Sequence, residues 1–221
     1  SSLLTVHIEA ELIRKFETKN VIGYLPAKKK KAKTIVFTAH YDHLGAMGTH
    51  PNPTYFPGGN DNASGTSMLI SIADYFIKNP SQYNLVFIAF AGEEAGLLGS
   101  RHFVENNTLN LSDITFLLNL DIMGSGEEGI TIVNGTIHQK HFKQIKKINE
   151  KEKYLSNIYA RGETANSDHY FFHKEGVPAF FIYTMGSNKN YHDVHDTYEE
   201  LSFAAYDNIV KLLVDFVQTV K

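Results

Sequence analysis

Apolar and polar positions follow two rhythms along this chain. Short β-branched and aromatic runs recur at residues 34–39 (TIVFTA), 85–91, 114–120 (ITFLLNL), 129–133 and 179–183. Runs of that length without a polar face predict strands buried on both sides, as in a mostly parallel sheet. Between them the spacing turns helical. Met68, Leu69, Ile72, Ala73 and Phe76 share one face of a helix that opens at residues 61–65 and stops before Pro80. Further helices are predicted from Ala95 to about Asn106, over 139–150 with Phe142, Ile145 and Ile148 on one side, over 168–173 and over 203–220. Residues 6–16, which alternate in places, predict an edge strand, and 20–25 a second short strand ended by Pro26. Residues 47–59, with three prolines, predict a long loop, and loops of that length in compact domains usually serve function. Strand and helix alternate without linker or repeat. The expected architecture is α/β: a single three-layer domain over residues 1–221, with a mostly parallel central mixed sheet flanked by helices.

Composition narrows the function. A chain of 221 residues with 43% hydrophobic content can bury one substantial core. A net charge of −3 gives no basic field, so no nucleic-acid partner is expected; the lysines at 28–31 and 33 read as a solvated turn. No cysteine is present, which removes disulfides, thiolate metal sites and a cysteine nucleophile together. No apolar run is long enough for a membrane helix. The start, SSLLTVHIEAEL, has neither a basic region nor a cleavage site and looks like a chain trimmed into its first strand. The expectation is an exported protein, periplasmic or secreted, whose leader has been removed. Eleven histidines, several beside acids, hint at metal.

The chemistry-bearing residues fall just past strand ends or at the head of a helix: His40 and Asp42, Asp61, Glu93 and Glu94, Asp121, and His192. Parallel strands present their carboxyl ends on one rim, where α/β sheets usually hold their ligands. Singly, each has a plainer explanation. His40 could be a hydrogen-bonded strand-end histidine, Asp61 an N-cap, Asp121 a turn residue, and the two glutamates acids favoured at a helix N-terminus. Their recurrence on one rim is what those explanations leave out. Histidines and carboxylates without thiolate suit zinc or a similar divalent ion. Five ligands with three carboxylates exceed one open tetrahedral site and suit two ions about 3.5–4 Å apart. Glu93 and Glu94, being neighbours, cannot aim at one point, so one holds metal and the other moves a proton.

Six stretches in order, TAHYDHLG (38–45), GGNDNASGTS (58–67), AFAGEEAGLLGSRHF (89–103), NLDIMG (119–124), SDHYFFHKEGVPAFF (167–181) and YHDVHDT (191–197), resemble the M28 family of zinc aminopeptidases nearly end to end. The resemblance implies two zinc ions: one on His40 and Asp121, one on Glu94 and His192, with Asp61 bridging. It implies Glu93 as general base, Asp42 as the acid that orients His40, and Tyr191 as donor to the developing oxyanion. The implied substrates are peptides with a free N-terminus, whose amine Glu93 and Asp121 are expected to read. Asp168 and His169, in the SDH motif, are expected to support the site or to form a buried structural pair. Arg161 is a candidate substrate-binding residue, but an exposed loop arginine is the expectation, and His43, His50, His173 and His195 are expected to be structural. The resemblance implies a preference for an apolar N-terminal side chain, with Tyr55, Phe56 and Met185 as loop candidates for the pocket wall.

Three alternatives carry distinct signatures. A mono-zinc glutaminyl cyclase on the same fold leans on tryptophans; this chain has none and places Tyr191 beside the last histidine. Co-catalytic carboxypeptidases and deacylases carry an inserted lid, for which the interval from Asp121 to His192 is too short. A metal-free binding homologue predicts missing ligands, and none is missing.

Overall fold

The computed structural model describes residues 3–7, 15–48 and 52–220. Seven strands form the main sheet: β1 (Val21–Leu25), β2 (Thr34–His40), β5 (Asn84–Phe90), β6 (Ile114–Leu120), β7 (Gly129–Val133), β8 (Ile158–Ala160) and β9 (Ala179–Met185). They lie in the order β1-β5-β2-β6-β9-β7-β8. The inner strands β5, β2, β6 and β9 run parallel, while β1 on β5 and β7 on β9 pair antiparallel. The remaining strands, β3 (Gly45–Met47) and β4 (Thr54–Phe56), form a separate hairpin.

Side chains along the inner strands alternate between two helical layers. Ile35, Phe37, Phe116, Leu118 and Ile182 pack with Met68 and Ile72 of α1 (Gly65–Lys78), Ile145 of α3 (Gln139–Glu152) and Leu212 and Phe216 of α5 (Tyr206–Thr219). Val36, Ile88 and Leu117 face the opposite way, onto Phe103 of α2 (Leu98–Glu105) and Phe172 of α4 (His169–Lys174). This is the expected three-layer α/β domain. Chain order also makes a switch point: β5 lies on one side of β2 and β6 on the other, so the loops after β2, β5 and β6 part around a crevice.

Several expectations shift. Residues 47–59 are partly the β3–β4 hairpin and not a plain loop. The helix expected to open at 61 begins at Gly65, because Asp61 (φ −112°, ψ 90°) and Asn62 (φ −136°, ψ 41°) leave helical geometry. The helix expected from Ala95 begins at Leu98, after a turn in which Gly96 (φ 105°) and Leu97 (φ 58°) reverse the chain. Similarly, α5 starts after Phe203 (φ 50°), whose amide bonds Gly124 O at 2.9 Å. The short strand β8 was not predicted; three residues give no usable period. Of the strand expected over 6–16, residues 8–14 lie outside the described residues.

Phe116 sits at the centre of the larger core, fully buried, with ring centroids 4.9 Å from Phe180 and 5.4 Å from Phe216. Truncating it leaves a cavity that strands on both sides cannot fill. Phe116→Ala is expected to lower unfolding free energy by about 3–5 kcal/mol, as read by urea denaturation.

Candidate metal centre

The crevice collects the strand-end residues. His40 ends β2; Asp42 follows it. Glu93 and Glu94 lie in the turn after β5, Asp121 directly follows β6, and His192 lies beyond β9. Asp61 comes from the segment between β4 and α1.

That segment is stitched in place by side chains acting as backbone partners. The Asp196 carboxylate accepts the amides of Asn60 (2.9 and 3.1 Å) and Asp61 (3.0 Å). Asn60 Oδ1 accepts from Gly124 N at 2.8 Å, and Ser64 Oγ accepts from Met123 N at 2.7 Å. Asn62 Nδ2 donates to Leu120 O at 3.0 Å, and its Oδ1 accepts from Gly65 N at 3.0 Å. Residues 60–64 are thereby tied to the chain on both sides of Asp121. Glycine is required where the strands of this weave touch. A Cβ on Gly59 would lie 2.8 Å from Thr197 C, and one on Gly65 2.6 Å from Leu120 O.

Asp61, 3% exposed, then divides its carboxylate between two groups. Its Oδ1 lies 3.2 Å from His40 Nε2, which is also 3.4 Å from Asp121 Oδ2. Its Oδ2 lies 3.2 Å from His192 Nε2, which is also 3.2 Å from Glu94 Oε2. Each imidazole nitrogen thus faces two carboxylate oxygens, and one N–H serves only one of them well. A zinc ion held at about 2.0–2.1 Å by four ligands sets neighbouring ligand atoms about 3.3–3.4 Å apart, close to these spacings. Asp121 Oδ1 is buried without a hydrogen-bond partner. Charge points the same way. Burial opposes protonation of His40, but Asp121 and Asp61 outweigh it and push its pKa up to about 12. The residues fit a divalent ion.

The other expected participants surround this pair of groups. Glu93 brings a carboxylate oxygen within 4.8 Å of ligand atoms of His40 and Asp121. Burial raises its pKa to about 8, with His40 opposing and Asp168 and Asp121 adding to the rise. Tyr191 is 62% exposed and stacks on His192 with ring centroids 3.9 Å apart. Asp42 was expected to orient His40 through its carboxylate. Instead its main-chain carbonyl lies 3.1 Å from His40 Nδ1, while the carboxylate, 3.8 Å away, accepts the amides of Glu93 (3.1 Å) and Glu94 (3.2 Å). Asp42 therefore sets the glutamate turn with its side chain and His40 with its backbone.

Two residues escaped the sequence reading. His43, expected to be structural, lies with Nδ1 2.9 Å from Glu94 Oε1, forming a group with Asp61 and Glu94. Asp196, the frame of Asp61, had no assigned task; its place in YHDVHDT next to the site stretch was the available signal. Asp168 and His169 are fully buried, and burial raises the Asp168 pKa to about 7. His173 (3.7 Å from Glu163) and His195 take no part in either group; His50 lies outside the described residues.

A cavity of about 310 Å³ opens on His40, Asp61, Glu93, Asp121, Tyr191 and His192. Its remaining walls are Ile122, Arg161, Asn166, Phe181 and Tyr183. Tyr55, Phe56 and Met185 do not line it, so the expected pocket wall is replaced by Phe181 and Tyr183 of β9 and by residues that follow β6 and β8.

Comparison with known proteins now bears on this geometry. The family model described as peptidase family M28 matches residues 20–217. Aminopeptidase YwaD of Bacillus subtilis is 33% identical over 196 residues, covering 84% of this chain and 41% of that protein. The structure of BSAP, a zinc aminopeptidase from Bacillus subtilis, superposes with a TM-score of 0.74 at 28% identity, over 90% of this chain and 49% of that one. An Acidobacteriales bacterium glutaminyl cyclase shares the fold, with a TM-score of 0.75 at 22% identity over 91% of this chain and 73% of its own. The chain spans about half the length of the curated relatives it matches.

Asp196→Ala strands two amides and loosens the bridge segment. The expected outcome is a stability loss of about 1–3 kcal/mol per stranded amide and zinc affinity lower by about 10–100-fold, read by urea unfolding and competition with a chromophoric chelator.

Proposed function

The chain belongs to peptidase family M28, and from that premise we propose that it is a two-zinc aminopeptidase, releasing N-terminal residues from peptides. The observation that carries this reading is the divided carboxylate of Asp61, with one oxygen toward His40 and Asp121 and the other toward His192 and Glu94. His40, Asp121 and Asp61 would hold one zinc, and Asp61, Glu94 and His192 the other. Bound there, zinc would supply Lewis acidity toward the scissile carbonyl and bring the pKa of water down to about 7.

The side chains supply the rest. Glu93 takes a proton from the attacking water and returns it to the leaving amine. A half-buried carboxylate lifted toward neutrality suits both directions of that transfer. The Tyr191 phenol, pushed up to about 12 by burial and then by Asp61 and Glu94, keeps its proton and donates a hydrogen bond to the carbonyl oxygen as charge develops. Glu93 and Asp121 share the cavity with the reacting bond, and their negative charge favours a protonated α-amine there. Asp42 holds Glu93 and Glu94 apart in direction by binding both amides, so one can serve the proton and the other the metal. His43 steadies the Glu94 carboxylate through Oε1 and leaves Oε2 toward His192.

Glu93→Gln is expected to retain zinc, measured by elemental mass spectrometry, while kcat on an aminoacyl anilide falls by about 10²–10⁴-fold. Full activity in that variant contradicts the role of Glu93. Dialysis against chelator is expected to abolish wild-type turnover and added zinc to restore it.

A further inference from the structure

The cavity beside the metal centre has an unequal lining. Toward the metal it is acidic and imidazole-rich, its floor is Ile122 and Phe181, and its remaining wall is Arg161, Tyr183 and Asn166. Arg161 is the one lysine or arginine among its described lining residues. Its backbone is pinned just beyond β8: the amide donates to Ile132 O at 2.9 Å, and the carbonyl accepts from Thr136 N at 3.3 Å. The guanidinium reaches over Tyr183, with Nη1 donating to its hydroxyl at 3.4 Å. Arg161 is exposed at the cavity and has one donor on the Tyr183 hydroxyl, so the other donors of its fork can meet a ligand that enters from solvent.

Resting on the aminopeptidase reading above, we infer that Arg161 makes this site selective for an acidic N-terminal residue, glutamate or aspartate. Such a side chain crosses the apolar floor with one or two methylenes and meets the guanidinium with its carboxylate. Arginine is suited to this because its planar fork matches a carboxylate by two parallel hydrogen bonds. Asn166 and the Tyr183 hydroxyl add neutral polar partners on the same wall. A basic N-terminal side chain is disfavoured by the same charge. An aliphatic one fits the floor but leaves the guanidinium to water.

The test compares kcat/KM for the p-nitroanilides of glutamate, glutamine, leucine and lysine, using zinc-loaded protein. Glutamate and glutamine differ by charge at nearly constant shape, so their ratio isolates the guanidinium. Glutamate is expected to exceed glutamine by about 10-fold or more, the worth of a hydrogen bond to a charged group. In Arg161→Met the ratio is expected to fall to near one. Inhibition by the free amino acids gives a second readout: L-glutamate is expected to inhibit wild type more strongly than L-glutamine, and Arg161→Met equally by both. A wild-type preference for glutamine, leucine or lysine over glutamate, or a ratio unmoved in Arg161→Met, overturns the role of Arg161 and leaves the peptidase standing. Hydrolysis of none of the four by folded, zinc-loaded protein overturns the peptidase reading, and this inference with it. Cyclisation of glutamine with release of ammonia does the same.

Discussion

A carboxylate buried as deeply as Asp61 is costly unless something positive sits beside it, and the architecture around the crevice follows from meeting that cost twice. Each of its oxygens is aimed at a histidine, and each histidine at a second acid. The aim is fixed by backbone geometry that no helix or strand provides. Asp61 and Asn62 leave regular dihedrals, and the side chains of Asp196, Asn60, Asn62 and Ser64 tie the segment in place by hydrogen bonds. The neighbouring acids crowd the site further. Burial raises the pKa of Glu93, Glu94 and Asp121, and mutual repulsion adds to it.

The sheet makes the convergence possible. Four parallel inner strands deliver their carboxyl ends to one edge, and the split around β2 leaves room there for a cavity. Helices on both faces bury the strands, so the ends that carry His40, Glu93 and Asp121 stand on rigid supports. Loops then need only supply Asp61 and His192. The latter adopts a positive φ of 54°, an uncommon conformation for a histidine that is held by its surroundings.

Much of this was legible in the residues. The strands at 114–120 and 129–133 coincide with β6 and β7, because long apolar runs bounded by polar residues leave little choice. The site residues were legible as acids and histidines at strand ends, and the M28 motifs ordered them. What remained hidden depends on tertiary contact. Asp61 resembles an N-cap in sequence, and only the chain crossing from Asp196 shows why the helix starts four residues later. His43 sits three residues from His40, and nothing in that spacing says that its ring turns to Glu94. Arg161 is an exposed loop residue, as expected; its place at the cavity was hidden because the short β8 before it carries no periodic signal. Tyr55 and Phe56 looked like pocket walls because they lie in a proline-rich stretch, yet the hairpin carries them elsewhere.

The central claim is that Asp61 joins two metal positions. Anomalous diffraction at the zinc absorption edge, from crystals grown with zinc, tests it most directly. The account predicts two peaks about 3.5–4 Å apart, one between His40 and Asp121 and one between Glu94 and His192, with Asp61 reaching both. A single peak on one side of Asp61, or none in contact with it, would contradict the account.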